Sequence, residues 1–160
     1  MPNWCGNEVT IDGTEEDIAK FVDECFTDFK TARGKMKAES VKVLDFDKVV
    51  PEPDYDKPKK DGTHNDGVQT KLNAPYEHPD WYNWRLANWG TKWNLVPNRG
   101  GDLYAYNIDM HGDWLQLTFE TAWNPPTGIY EALYEKYPSL DISWFYREDG
   151  CQISGWLPYD

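Results

Sequence analysis

A chain of 160 residues fits one domain, and its 28 acidic against 16 basic residues give a formal net charge of −12. Such a surface repels phosphate and argues against a broad interface with a nucleic-acid backbone. No apolar run of about 18 residues is available to cross a bilayer, and Met1–Glu8 has neither the basic nor the apolar region of a secretory signal, so a cytoplasmic protein is expected.

The opening segment alternates Cys5, Asn7, Val9 and Ile11 on one side, the period of a strand. Asp12-Gly13 ends it, and Thr14 with Asp17 opens a helix in a loose variant of the capping box. Ile18, Phe21, Val22, Cys25 and Phe29 then fall on one helical stripe. Val41 to Val50 reads as a second strand, stopped by Pro51-Glu52-Pro53. Residues 51–80 are rich in proline, lysine, aspartate and glycine and read as a long loop or insertion.

From Trp81 to Trp93 the chain places four tryptophans and a tyrosine within thirteen residues, read as a short helix that Gly90 terminates. Leu103–Met110 and Trp114–Ala122 form an expected hairpin around His111-Gly112-Asp113. Pro125-Pro126, with Asn124 as a candidate cap, starts a helix over Thr127–Tyr137. Leu140–Arg147 and Cys151–Trp156 form a second hairpin. Leu115, Leu117, Phe119, Ile142, Trp144 and Tyr146 point one way, while Glu8, Thr10, Gln116, Thr118, Glu120, Ser143, Gln152 and Ser154 point the other. The expectation is an α+β fold of ferredoxin-like type over residues 1–160: an antiparallel sheet packed by two helices, its other face polar, with an insertion at about 51–101 carrying a tryptophan-rich helix.

The runs Pro2-Asn3-Trp4-Cys5-Gly6-Asn7, Val49-Val50-Pro51-Glu52-Pro53, Tyr82-Asn83-Trp84, Trp89-Gly90-Thr91-Lys92-Trp93 and Thr121-Ala122-Trp123-Asn124-Pro125-Pro126 are similar to those of the YubB-like family. The resemblance spans nearly the whole chain in order. It implies a ferredoxin-like domain carried by plasmids and phages, acting in a bacterial cytoplasm. It implies no activity, and fold-level analogy does not supply one.

No GxSxG, P-loop or GxGxxG motif is present, so an enzyme is the third reading and no catalytic residue is assigned. Cys5, Cys25 and Cys151 are odd in number and lack a CxxC pair, which suits small buried hydrophobes in a reducing compartment. Asp109, His111 and Asp113 alternate at a hairpin tip, and His64 with Asp66, and Glu77 with His78 and Asp80, are similar fragments. None has a metal-site spacing, and no metal or cofactor is expected.

In the tryptophan segment, Tyr82, Leu86, Trp89 and Trp93 form a core stripe at helical spacing. Trp81, Arg85, Asn88 and Lys92 form a neighbouring stripe that can stack on a base or clasp an anion. That is the second reading, a small-ligand or nucleotide pocket. The first is a non-catalytic acidic protein that occludes a host protein with a basic surface, plausibly a defence protein. Glu15, Glu16, Asp23 and Glu24 on the first helix would steer association, and exposed rings near Trp81 and Trp84 would anchor it.

Overall fold

A computed structural model describes residues 3–31, 39–55, 80–98 and 101–158. Strand β1 (Trp4–Asp12) buries Cys5, Asn7, Val9 and Ile11. Helix α1 (Glu15–Cys25) starts where the Thr14 hydroxyl accepts the Asp17 amide at 3.2 Å, and Glu15, Glu16 and Asp17 suit the positive end of its dipole. The helix buries Ile18, Phe21, Val22 and Cys25, then stops because Phe26 is extended. Phe29 therefore lies in a strand and not on the helical stripe: β2 (Phe26–Thr31) pairs with β3 (Glu39–Leu44) in a two-stranded sheet of its own.

The expected strand to Val50 is cut short at Leu44. Asp45 caps α2 (Phe46–Val49), taking the Asp47 amide at 3.1 Å and the Asn94 side chain at 2.8 Å. Helix α3 (Asp80–Asn88) follows, then β4 (Asn107–Met110), β5 (Trp114–Ala122), α4 (Thr127–Lys136), β6 (Asp141–Glu148) and β7 (Ile153–Trp156). The expected loop between α2 and α3, with His64, Asp66, Glu77 and His78, lies almost wholly outside the described residues.

The main sheet runs β4-β5-β1-β6-β7, antiparallel throughout, with β1 in the middle. Without β7 this is the ferredoxin-like order, built from β1, α1, β4, β5, α4 and β6. Everything from Phe26 to the start of β4 interrupts that sequence, so the inserted part begins at Phe26, earlier than residue 51. One face of the sheet carries the core. Val9, Leu117 and Trp144 share a rung, Ile129 and Leu133 of α4 are fully buried, and Tyr130 meets Trp144 edge-on with centroids 6.0 Å apart.

Buried polar groups cross this core in a chain. The Trp144 Nε1 donates to Asn7 Oδ1 at 3.0 Å, Asn7 Nδ2 donates to Thr121 Oγ1 at 3.0 Å, and the Thr121 hydroxyl donates to the Asn124 carbonyl at 2.6 Å. Three strands and the lead-in to α4 are thereby held in one register. Asn124 contributes its backbone and not a side-chain cap: the N-cap is Pro126, with no side-chain hydrogen bond, while Trp123 sits at φ 68° and is 45% exposed.

The insertion is locked onto the same corner. Trp89, fully buried, packs on Phe46 and donates from Nε1 to the Val50 carbonyl at 2.9 Å. Gly90 follows at φ +88°, where a Cβ would lie 2.7 Å from the Thr127 hydroxyl, and a Cβ at Gly128 would overlap the Asn88 carbonyl. Thr91, also buried, donates to the Ala122 carbonyl at 3.0 Å. The Trp89-Gly90-Thr91 and Thr121–Pro126 runs are thus two halves of one joint.

Two stability measurements check these links. Gly90→Ala adds a left-handed non-glycine residue and a clash, and should cost about 2 kcal/mol or more by chemical denaturation. Asn7→Leu strands the Trp144 donor and the Thr121 hydroxyl and should lower stability by about 3 kcal/mol, about 5–10 °C in melting temperature. A melt unchanged within 1 °C for either variant would contradict the corresponding link.

Candidate functional site

In the tryptophan-rich helix, Trp84 is buried against Trp89 with ring centroids 5.7 Å apart and cannot serve as an exposed anchor. Leu86 and Trp93, expected in the core, are 37% and 38% exposed; the buried pair is Trp84 and Trp89. Arg85 is enclosed by its own chain. Its guanidinium lies 4.8 Å from the Trp89 ring centroid and 5.1 Å from that of Trp81, donates from Nε to Glu52 Oε1 at 2.7 Å, and donates from Nη1 to the Lys92 carbonyl at 3.2 Å. Asn88 bonds back to the Trp84 carbonyl at 2.8 Å, and the Lys92 ammonium sits 4.4 Å from the Trp93 ring centroid and 5.9 Å from that of Tyr82. The expected ligand set of Trp81, Trp84, Arg85, Asn88 and Lys92 is therefore largely engaged in holding the insertion together.

The α1 acids do not converge on one point. Glu15 and Asp23 line a shallow groove with Ile18, Val22, Met110 and His111, Glu16 is exposed, and Glu24 accepts the Tyr137 hydroxyl at 3.2 Å. His111 stacks on Trp114 at 3.9 Å and contacts Asp109 at 3.1 Å. Among the described residues, no three of His, Cys, Asp and Glu come together as metal ligands would. Burial pushes the Cys5 thiol up to about 11 and raises that of Cys25, which keeps both protonated and poorly nucleophilic at neutral pH.

What does converge lies on the sheet's other face. Gly6 separates Glu120 on β5 from Arg147 on β6, leaving a gap where a side chain would stand. This opens a cavity of about 370 Å³ whose walls include Trp4, Glu8, Glu120, Phe145, Arg147 and Asp149. Asp149 accepts from Arg147 at 2.5 Å, a bond that holds its carboxyl below the usual range, so most of the guanidinium charge is matched locally. Phe145 packs on Trp156, which is 63% exposed.

A second cavity, of about 240 Å³, shares Trp4 and Glu120 with the first and reaches the insertion at Trp93, Asn94 and Tyr104. Trp4 bridges the two other rings, with centroids 5.9 Å from Trp93 and 6.0 Å from Tyr104. Beneath this wall the Glu120 Oε2 is covered and has no hydrogen-bond partner among the described residues. Glu8 and Glu120 were recognisable as open-face residues from strand alternation. Trp4, Trp93 and Tyr104 were not grouped with them, because three separate segments meet here.

The fold and this groove define the class: a ferredoxin-like domain whose open sheet face is extended by an inserted unit. Residues 101–160 match the family model described as the ferredoxin-like domain in Api92-like protein. The chain is also 30% identical over 83 residues to the uncharacterized protein YubB of Escherichia coli (strain K12), covering 51% of this chain and 52% of that protein. It thus spans about half the length of the curated relative it matches. No solved structure matches it. No helix among the described residues is long and apolar enough to cross a membrane.

If Arg85 is structural, Arg85→Met should lower stability by about 2 kcal/mol, because the Glu52 carboxylate loses its partner in a half-covered site. Adding Glu52→Gln should recover part of that loss in a double-mutant cycle. A single variant as stable as the parent would return Arg85 to the pool of groups free to bind a ligand.

Proposed function

We propose that this chain is a binding protein of a mobile genetic element that covers a basic surface on a host protein, and that it does so with the open face of its sheet. The observation that carries the reading is the placement of exposed rings beside acids on two adjoining cavities: Trp4, Trp93 and Tyr104 with Glu8 and Glu120, and Trp156 packed on Phe145 at the edge of the larger one. Aromatic anchors supply contact area at low entropic cost, and the carboxylates select a positive partner. The net charge of −12 adds long-range steering, to which the α1 acids contribute as part of the field and not as a contact patch. The plasmid or phage setting is what the resemblance to YubB-like proteins implies, and a defence protein as target is proposed by analogy with small acidic proteins of that setting.

The test is capture of partners from bacterial lysate by the tagged chain, repeated with face variants. Trp156→Ser with Glu8→Lys should remove a specific partner at least tenfold. Reversing Glu15 and Glu16 should reduce capture only a few-fold, and raising salt to about 0.5 M should weaken it strongly, since the screening length falls to a few ångströms. Capture that survives both the face variants and high salt would overturn the proposal.

A further inference from the structure

We propose that the cavity bounded by Trp4, Trp93, Tyr104 and Glu120 receives the guanidinium group of an arginine side chain on the basic partner. This rests on the preceding reading and adds the chemical group that the site selects.

The three rings adjoin along the cavity, with Trp4 tilted 41° to both neighbours, and aromatic rings of this kind attract cations. Below them stands a carboxylate with one covered, unpartnered oxygen. A covered acceptor without a hydrogen-bond partner costs free energy until a donor approaches, which makes it a poor choice for stability and a good one for recognition. Lys92 covers Trp93 but does not line the cavity, and Arg85, which does, is already matched by Glu52. Asp102 adds another carboxylate to the rim. Among the described residues the cavity's unmatched charge is therefore negative.

A guanidinium fits better than an ammonium because it is planar, weakly hydrated, stacks on aromatic faces and forks onto a carboxylate. The protein already contains the same chemistry in closed form: Arg85 lies against two indoles and bonds to Glu52. The second cavity repeats the rings and the carboxylate, and among its described lining residues the one cation, Arg85, is turned to Glu52.

The full chain, labelled at its indole nitrogens, is titrated with the blocked tripeptide Gly-Arg-Gly and with its lysine and citrulline counterparts. The arginine peptide should shift the Trp4 and Trp93 indole signals saturably and bind at least fivefold more tightly than either counterpart. Glu120→Gln should weaken it at least fivefold, while Glu16→Gln changes it less than twofold. Because the Glu120 Oε2 accepts no hydrogen bond, Glu120→Gln should leave the melting temperature unchanged or raised, which separates recognition from folding. Equal binding of the three peptides, or equal effects of the two substitutions, would overturn the arginine site while leaving a basic partner possible. Free arginine binding tenfold more tightly than the peptide would mark a small-molecule site and overturn the protein-borne source. A lysate partner held regardless of salt would remove the broader reading without touching this titration.

Discussion

Two backbones approach without side chains between them where the end of α3 meets the start of α4, and the rest of the molecule is arranged around that contact. Gly90 allows the turn and Gly128 allows the approach. With both in place, Trp89 drops into the core, Thr91 reaches the Ala122 carbonyl, and Trp93 is delivered beside Trp4. The aromatic wall of the candidate site is therefore a by-product of how the insertion is fastened. Any larger side chain at the joint would move the wall as well as weaken the fold.

Polar contacts repeat this coupling at longer range. Asn7 ties the central strand to Trp144 and Thr121, and Asn94 ties the segment after α3 to Asp45 at the head of α2. Tyr106 joins the approach to β4 back to β3 by donating to the Lys42 carbonyl at 2.8 Å. Asn7 thus holds the strands of the sheet, Asn94 and Tyr106 hold the segments of the insertion, and the buried Thr91 hydroxyl joins the two through the Ala122 carbonyl.

Much of the sheet was legible because alternation is a strong local signal: Leu115, Leu117 and Phe119, and Trp144 with Tyr146, pointed to the buried face, and α4 began where its prolines placed it. The first helix was read too long because Val22, Cys25, Phe26 and Phe29 keep helical spacing through the point where the backbone extends; both periods bury Phe29 in part. Asp45 caps α2 through the nearby Asp47 amide, a local sign that the apolar run Val41–Val50 outweighed, and its second bond comes from Asn94, far along the chain. The tryptophan run reads as a short helix that Gly90 ends, but its core stripe was carried past that glycine at helical spacing, and the turn there sends Trp93 to the surface. The candidate site was the least legible part: Trp4, Trp93, Tyr104 and Glu120 lie in four segments, and only tertiary structure brings them within reach.

The order of the strands also bears on how the chain is made. β1 sits between β5 and β6, both of which lie more than a hundred residues further on. β1 therefore leaves the ribosome about a hundred residues before either neighbour exists, and those strands cannot close their sheet without it. Non-local closure of this kind slows assembly and leaves apolar strand edges uncovered meanwhile. A strongly acidic sequence is well suited to that interval, because mutual repulsion keeps nascent copies apart until the last hairpin lets the central strand slot home.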